Sequence, residues 1–294
     1  MPLVATLVSH PAARALAPLL ADKAAGVLGA SVDWLQEDVA CDLVVPPGMD
    51  AAAAETVLRE ALAGAPVDVA VQDGETRRKS ILIADMDSTM IDQECIDELA
   101  DYVGLKEHVA AITARSMNGE IAFEPALRER VALLRGLPLT VVEEVIEKRI
   151  TLASGGKELV ATMNKAGAWT ALVSGGFTLF TARIAAMLGF QENRGNVLID
   201  TEGGLAGEVA EPILGREAKA QALVEIADRL GVSTRDAIAV GDGANDLDML
   251  GLAGTGVAMH AKPSVAAKAG IRIDHGDLTA LLFLQGYRRV DFAP

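Results

Sequence analysis

Ile81-Leu82-Ile83-Ala84-Asp85-Met86-Asp87-Ser88-Thr89 opens as an apolar run and ends in two carboxylates and two hydroxyls. A short, uninterrupted apolar run that stops at acids predicts a strand buried on both faces, with its polar end handed to a loop. The pattern recurs. Thr170-Ala171-Leu172-Val173 stops at Ser174, and Ala237-Ile238-Ala239-Val240 stops at Gly241-Asp242. Helical periodicity lies between the runs, as from Ala218 to Leu230. Strands of this kind alternating with helices predict a parallel sheet covered on both faces, whose ligands sit beyond the carboxyl ends of the strands.

About 80 residues separate the first run from the second, too many for one crossover connection. Helical patterns over Cys95 to Gly104, Glu107 to Met117 and Phe123 to Leu134 predict an inserted helical cap at about 93–150. Gly203-Gly204, inside Asn196 to Glu208, predicts a hairpin. Upstream, residues 1–75 read as a βαββαβ, ferredoxin-like unit. Its strands are Leu3 to Val8, Ser31 to Gln36, Ala40 to Val45 and Val67 to Gln72, and its helices Ala12 to Leu28 and Ala51 to Ala63. Asp73 to Lys79 reads as a linker, and 80–294 as the second domain.

With 51% hydrophobic and only 3% aromatic residues, small aliphatic side chains must fill the cores, which suits helices packed on a sheet. The net charge of −15 argues against a nucleic-acid partner but not against a small anion, whose site needs only a local reversal of potential. Cys41 and Cys95 lack paired metal-site spacing and read as reduced thiols. With no basic leader and no run of roughly 18 apolar residues, a soluble cytoplasmic protein is expected.

Each polar strand end suits a different part of one reaction. Asp85 and Asp87 can face the same ligand, one as a nucleophile on phosphorus and the other as the proton donor and acceptor. Ser174-Gly175-Gly176-Phe177 offers a hydroxyl and unhindered amides for phosphate oxygens. Lys219 supplies a cation. Gly241-Asp242-Gly243-Ala244-Asn245-Asp246 gathers oxygen-bearing side chains suited to a hard cation such as Mg²⁺. Taken singly, each reads as easily as a helix cap, a turn or a solvated charge. Gly155-Gly156-Lys157 lacks the rest of a P-loop, and His10, His108, His260 and His275 show no ligand spacing.

Together, and in this order, the four segments resemble the motifs of the haloacid dehalogenase-like superfamily, over roughly Ser80 to Leu284. Within it, Asp85 through Glu98, Met117 through Leu137 and Val173 through Phe177 resemble the phosphoserine phosphatases. That resemblance implies Asp85 as nucleophile and Asp87 as general acid/base. It implies Mg²⁺ held by Asp85, the Asp87 carbonyl and Asp242, with Asp246 in support. Ser174, Gly175 and Lys219 would bind phosphoryl oxygens, with Asn245 beside them. Glu94 would meet the ammonium of O-phospho-L-serine and Arg130 its carboxylate, under Met117 and Phe123. The first unit resembles an ACT-type domain, leaving dimerisation, amino-acid sensing or a structural use open. Rival readings keep the chemistry with another small phosphorylated metabolite or an acceptor alcohol, or make the chain an amino-acid-sensing regulator.

Overall fold

The apolar runs become strands because both of their faces are covered. In the computed structural model, which describes residues 2–294, all side chains of 81–84 and 237–240 are buried. The first elements are β1 (Leu3–Ser9), α1 (Pro18–Leu28), β2 (Val32–Gln36), β3 (Ala40–Val44), α2 (Ala51–Ala61) and β4 (Val67–Asp73). After β5 (Ile81–Ala84) come α3 (Cys95–Asp101), α4 (Lys106–Met117), α5 (Phe123–Ala132), α6 (Thr140–Lys148) and α7 (Gly156–Lys165). Next are β6 (Trp169–Phe177), α8 (Thr178–Leu188), β7 (Glu192–Asn196), β8 (Leu198–Thr201), β9 (Gly204–Val209) and α9 (Arg216–Leu230). The chain closes with β10 (Ala237–Gly241), α10 (Leu247–Leu252), β11 (Thr255–Met259), α11 (Pro263–Ala266), β12 (Ile271–Ile273) and α12 (Ala280–Leu284). Among the described residues no helix is long and apolar enough to cross a membrane.

Contacts divide the chain into two compact units. One comprises the residues up to Ser80 together with Ser154–Ala168 and Ile271–Pro294; the other comprises Ile81–Ala153 and Trp169–Gly270. This grouping differs from a cut at the 73–79 linker, because α7 and the last 24 residues (271 to 294) pack with the first strands.

The first unit carries an antiparallel sheet in the order β2-β3-β1-β4, reached through the βαββαβ succession. Leu7, Cys41, Leu43 and Leu58 lie in its core with the alanines of α1 and α2. The helix expected from Ala12 starts instead at Pro18. Proline suits the first helical position but drives the residue before it out of helical conformation, and Ala17 is extended. Asp68, 3% exposed, binds a turn of the chain's last segment: its carboxylate accepts from the amides of Asp274 (2.8 Å), His275 (3.0 Å) and Gly276 (2.7 Å).

In the second unit the parallel strands run β11-β10-β5-β6-β7. Ala84 is level with Val240 on one side and Leu172 on the other, so the three polar strand ends emerge along one edge. Ile81, Ile83, Ala171, Val173, Leu223, Ile226 and Met249 share a core on one face, each Ile or Leu contributing about 2 kcal/mol by leaving water. β6 does not stop at Val173 but runs on through Ser174-Gly175-Gly176 to Phe177, with its pairing to β7 shifted between Val173 and Phe177. The amide of Asn196 holds this extension, donating to the Gly175 carbonyl at 2.8 Å. Helices α3 to α6 form the expected insertion, and the β8–β9 hairpin clasps the end of α5. Gly136 N donates to Leu205 O (2.8 Å) and Leu205 N to Leu137 O (2.9 Å).

Asp68→Ala would leave three amides without their acceptor. We expect it to cost about 3 kcal/mol and lower the unfolding midpoint in urea, whereas Asp68→Asn, which keeps part of the acceptor set, should cost less. An Ala variant as stable as the parent would contradict this account.

Candidate active site

Register brings the polar strand ends together, and a buried ammonium holds them there. Lys219, in the first turn of α9, has no exposed surface; its Nζ lies 2.7 Å from Asp85 Oδ2 and 2.6 Å from Asp246 Oδ1. Burial by itself would lower the pKa of this ammonium, but Asp246 and Asp85 together raise it. Breaking such a buried arrangement leaves carboxylates without a counter-charge, at a cost of about 3–5 kcal/mol.

Asp85 Oδ1 accepts from the Met86 amide at 2.7 Å, and the Asp85 amide donates to Val240 O at 3.0 Å, so strand pairing itself fixes the first carboxylate. Asp87 is turned toward the cap, where its Oδ1 accepts from Cys95 N, the first residue of α3, at 2.8 Å. Its Oδ2 accepts from the Ser174 hydroxyl at 3.4 Å. Burial pushes the Asp87 carboxyl up to about 6, with the Asp85 charge adding and the Cys95 amide opposing. A Cβ at Gly176 would lie 2.6 Å from Asp87 Oδ2, so only glycine lets β6 come this close.

Asp246 and Asp242 share the other side of the cluster. Asp246 Oδ2 accepts from Gly243 N at 3.0 Å, bending the loop back on itself. Burial, then the Asp85 charge, raises the Asp246 carboxyl to about 7; burial, then Asp246 and Asp85, holds Asp242 well above the ordinary carboxylate range. Asp85, Asp242 and Asp246 each offer an oxygen within 4.8 Å of the others, and among the described residues nothing donates a hydrogen bond to the buried Oδ2 of Asp242. Three converging carboxylates with one oxygen unsatisfied fit a hard divalent cation, whose charge would relieve their mutual repulsion.

The cap covers this floor. Asp85, Asp87, Glu94, Met117, Phe123, Arg130, Ser174, Gly175 and Asn245 line one cavity of about 30 Å³. That is room for roughly a water or two rather than for an amino-acid phosphate. Lys219, Asp242 and Asp246 lie outside this lining, bound into the carboxylate cluster. Glu94 Oε1 accepts from the Ser88 hydroxyl at 2.7 Å, and burial, then Asp87 and Asp242, pushes its carboxyl well up. Arg130, on α5 and 3% exposed, donates from Nε to Ala126 O (3.0 Å) and from Nη1 to Thr113 Oγ1 (2.9 Å). Thr113 in turn donates to Asp97 Oδ1 at 2.7 Å. Burial lowers the Arg130 pKa while Glu94 and Asp97 oppose; a guanidinium nevertheless keeps its charge.

Several residues without an assigned role from sequence complete the site. Ser88 takes a left-handed backbone (φ 53°), which lets its hydroxyl reach Glu94, and Thr113 and Asp97 orient Arg130. Thr89 donates to Asp242 Oδ1 at 3.5 Å, and Lys262 Nζ lies 3.6 Å from Asp242 Oδ2. Ser88 and Thr89 stood in the opening segment, where chemistry was visible; Thr113, Asp97 and Lys262 carried no local signal.

Residues 82–251, more than half of the chain, match the model of the haloacid dehalogenase-like hydrolases. A phosphoserine phosphatase of Polaromonas sp. is 46% identical over 226 residues, which cover 75% of this chain and 96% of that one. A solved structure described as a phospho-aspartyl intermediate analogue of phosphoserine phosphatase superposes with a TM-score of 0.67 at 40% identity, covering 70% of this chain and 98% of that one. A haloacid dehalogenase family hydrolase of Salmonella enterica matches nearly end to end, with a TM-score of 0.84 at 29% identity over 96% of this chain and 98% of that one. By its motifs, its sheet and these likenesses, the chain belongs to the haloacid dehalogenase-like hydrolases, and within them to the phosphoserine phosphatase family.

Proposed function

We propose that this chain is an Mg²⁺-dependent phosphatase that hydrolyses O-phospho-L-serine to L-serine and inorganic phosphate through an aspartyl-phosphate. One observation carries the substrate reading: a carboxylate, Glu94, and a guanidinium, Arg130, face the cavity that also contains Asp85 and Asp87. Phosphoserine presents an ammonium, a carboxylate and a phosphate; Glu94 would oppose the first and Arg130 the second, while the phosphate would draw on Lys219 and a cation held at the adjoining carboxylate cluster. Arg130 can grip the carboxylate through two parallel hydrogen bonds. Among the described residues no cation hydrogen-bonds Glu94, and a substrate ammonium would supply one.

In the first step an oxygen of Asp85 bonds to phosphorus and the bond from phosphorus to the serine oxygen breaks. That oxygen takes the proton of Asp87. In the second step a water attacks phosphorus, its proton passes to Asp87, and the bond from Asp85 to phosphorus breaks to release phosphate. A carboxyl near 6 is suited to giving and then taking a proton close to neutral pH. Asp85, Asp242 and Asp246 would hold Mg²⁺, which supplies positive charge beside the transferring phosphoryl group. Ser174 and the Gly175 amide would receive phosphoryl oxygens. Parting of α4 and α5 from the sheet edge would widen this narrow cavity for the substrate, and their return would exclude water.

Asp85→Asn should abolish phosphate release from O-phospho-L-serine in a steady-state assay; activity that survives would overturn the mechanism. Arg130→Ala should lower kcat/KM for that substrate by on the order of 10²-fold or more, while changing much less the hydrolysis of a phosphate ester lacking a carboxylate. Equal losses on both substrates would remove Arg130 from the substrate reading.

The raised Asp87 carboxyl also predicts a stability effect. With its folded pKa near 6 against 3.8 unfolded, the fold holds a proton that the unfolded chain releases between those values, so this contribution favours folding at low pH and is lost as pH rises through 6. In chelator, Asp87→Asn should therefore melt above the parent at pH 7.5, with the difference narrowing by pH 5. A variant less stable than the parent at pH 7.5 would contradict the shift.

A further inference from the structure

Lys262 stands apart from the segments that align with the chemistry, yet the fold returns it to them. β11 runs parallel to β10, so its carboxyl end emerges next to Gly241-Asp242. A left-handed His260 (φ 46°) turns the chain there, and the Lys262 amide donates to Asp242 O at 3.1 Å. The side chain then reaches inward from a partly solvated position, 37% exposed, to bring Nζ within 3.6 Å of Asp242 Oδ2. That oxygen is the buried one without a hydrogen bond, on a carboxylate that is itself 1% exposed.

Ionised Asp85, Asp242 and Asp246 carry three negative charges, and Lys219 offsets one through direct contacts with two of them. Asp242 lies outside the direct contacts of Lys219, and Lys262 is the ammonium beside it. At 3.6 Å and partly solvated, it attracts that carboxylate without sealing the oxygen in a short hydrogen bond. An ammonium so placed opposes a divalent cation arriving at the same oxygen, and attracts a dianion arriving above it.

We propose that Lys262 is a positioning residue that tunes the cation site, weakening the hold on a divalent cation in the substrate-free protein while strengthening the hold on the phosphate dianion. The inference rests on the metal-dependent reading above and extends it to a residue outside the aligned motifs. It gives the site opposite responses to the two ligands. A residue that only packed the loop would move both affinities in the same direction.

The test titrates Mg²⁺ into substrate-free protein by calorimetry and measures competitive inhibition by inorganic phosphate on the Mg²⁺-saturated protein, both at low salt. Lys262→Met should bind Mg²⁺ tighter by on the order of tenfold and phosphate weaker by a similar factor, and Lys262→Arg should stay within about twofold of the parent for both. Unchanged or weaker Mg²⁺ binding by Lys262→Met overturns the proposal, as does an Arg variant that behaves like Met. A parent protein that binds no Mg²⁺ would instead strike the metal-dependent reading itself, so the two failures are separable.

Discussion

The contact between the Lys219 ammonium and the carboxylates of Asp85 and Asp246 is the constraint on which the rest of the active unit depends. Carboxylates gathered at the edge of a buried sheet repel one another and lose their hydration, and both effects raise Asp242 and Asp246. One buried cation makes the assembly tolerable without neutralising it. The remaining negative charge is what a divalent cation and a phosphoryl group require, so the electrostatic strain of the folded site and its chemistry have the same origin.

The loops around that contact break local rules in ways that serve it. Ser88 occupies left-handed space without being glycine, and in doing so carries its hydroxyl to Glu94. Gly176 gives up a side chain within a strand so that Asp87 can lie against the backbone of β6. The open oxygen of Asp242 is a buried acceptor that, among the described residues, receives no hydrogen bond. Each of these costs stability, and each falls within the site rather than in the cores, as expected where function overrides packing.

The two units also divide the physical tasks. In the first, Asp68 spends its carboxylate on three backbone amides and thereby ties the end of the chain to β4. In the second, carboxylates of the same chemical type are kept from such full satisfaction. Asp68 is saturated by amides close in space but distant in sequence, whereas Asp242 faces other acids and ammonium groups. The same residue type is saturated in one setting and left with uncompensated charge in the other.

Sequence by itself determined the parallel strands, their polar ends and the residues on them, because an apolar run broken by acids is a local pattern that needs no tertiary information. The insertion was legible for the same reason, since 80 residues of helical pattern between two buried strands have to leave the sheet. Where propensity and position conflicted, the tertiary structure decided: α1 waits for Pro18, and β6 continues through glycines that read as a turn because Asn196 holds their backbone. Only the fold placed Arg130 on Thr113, Glu94 under Ser88 and Lys262 beside Asp242. A lone charged residue carries no local mark of its partner. Strand register and the packing of the cap set those distances, and both arise from contacts between residues far apart in the chain.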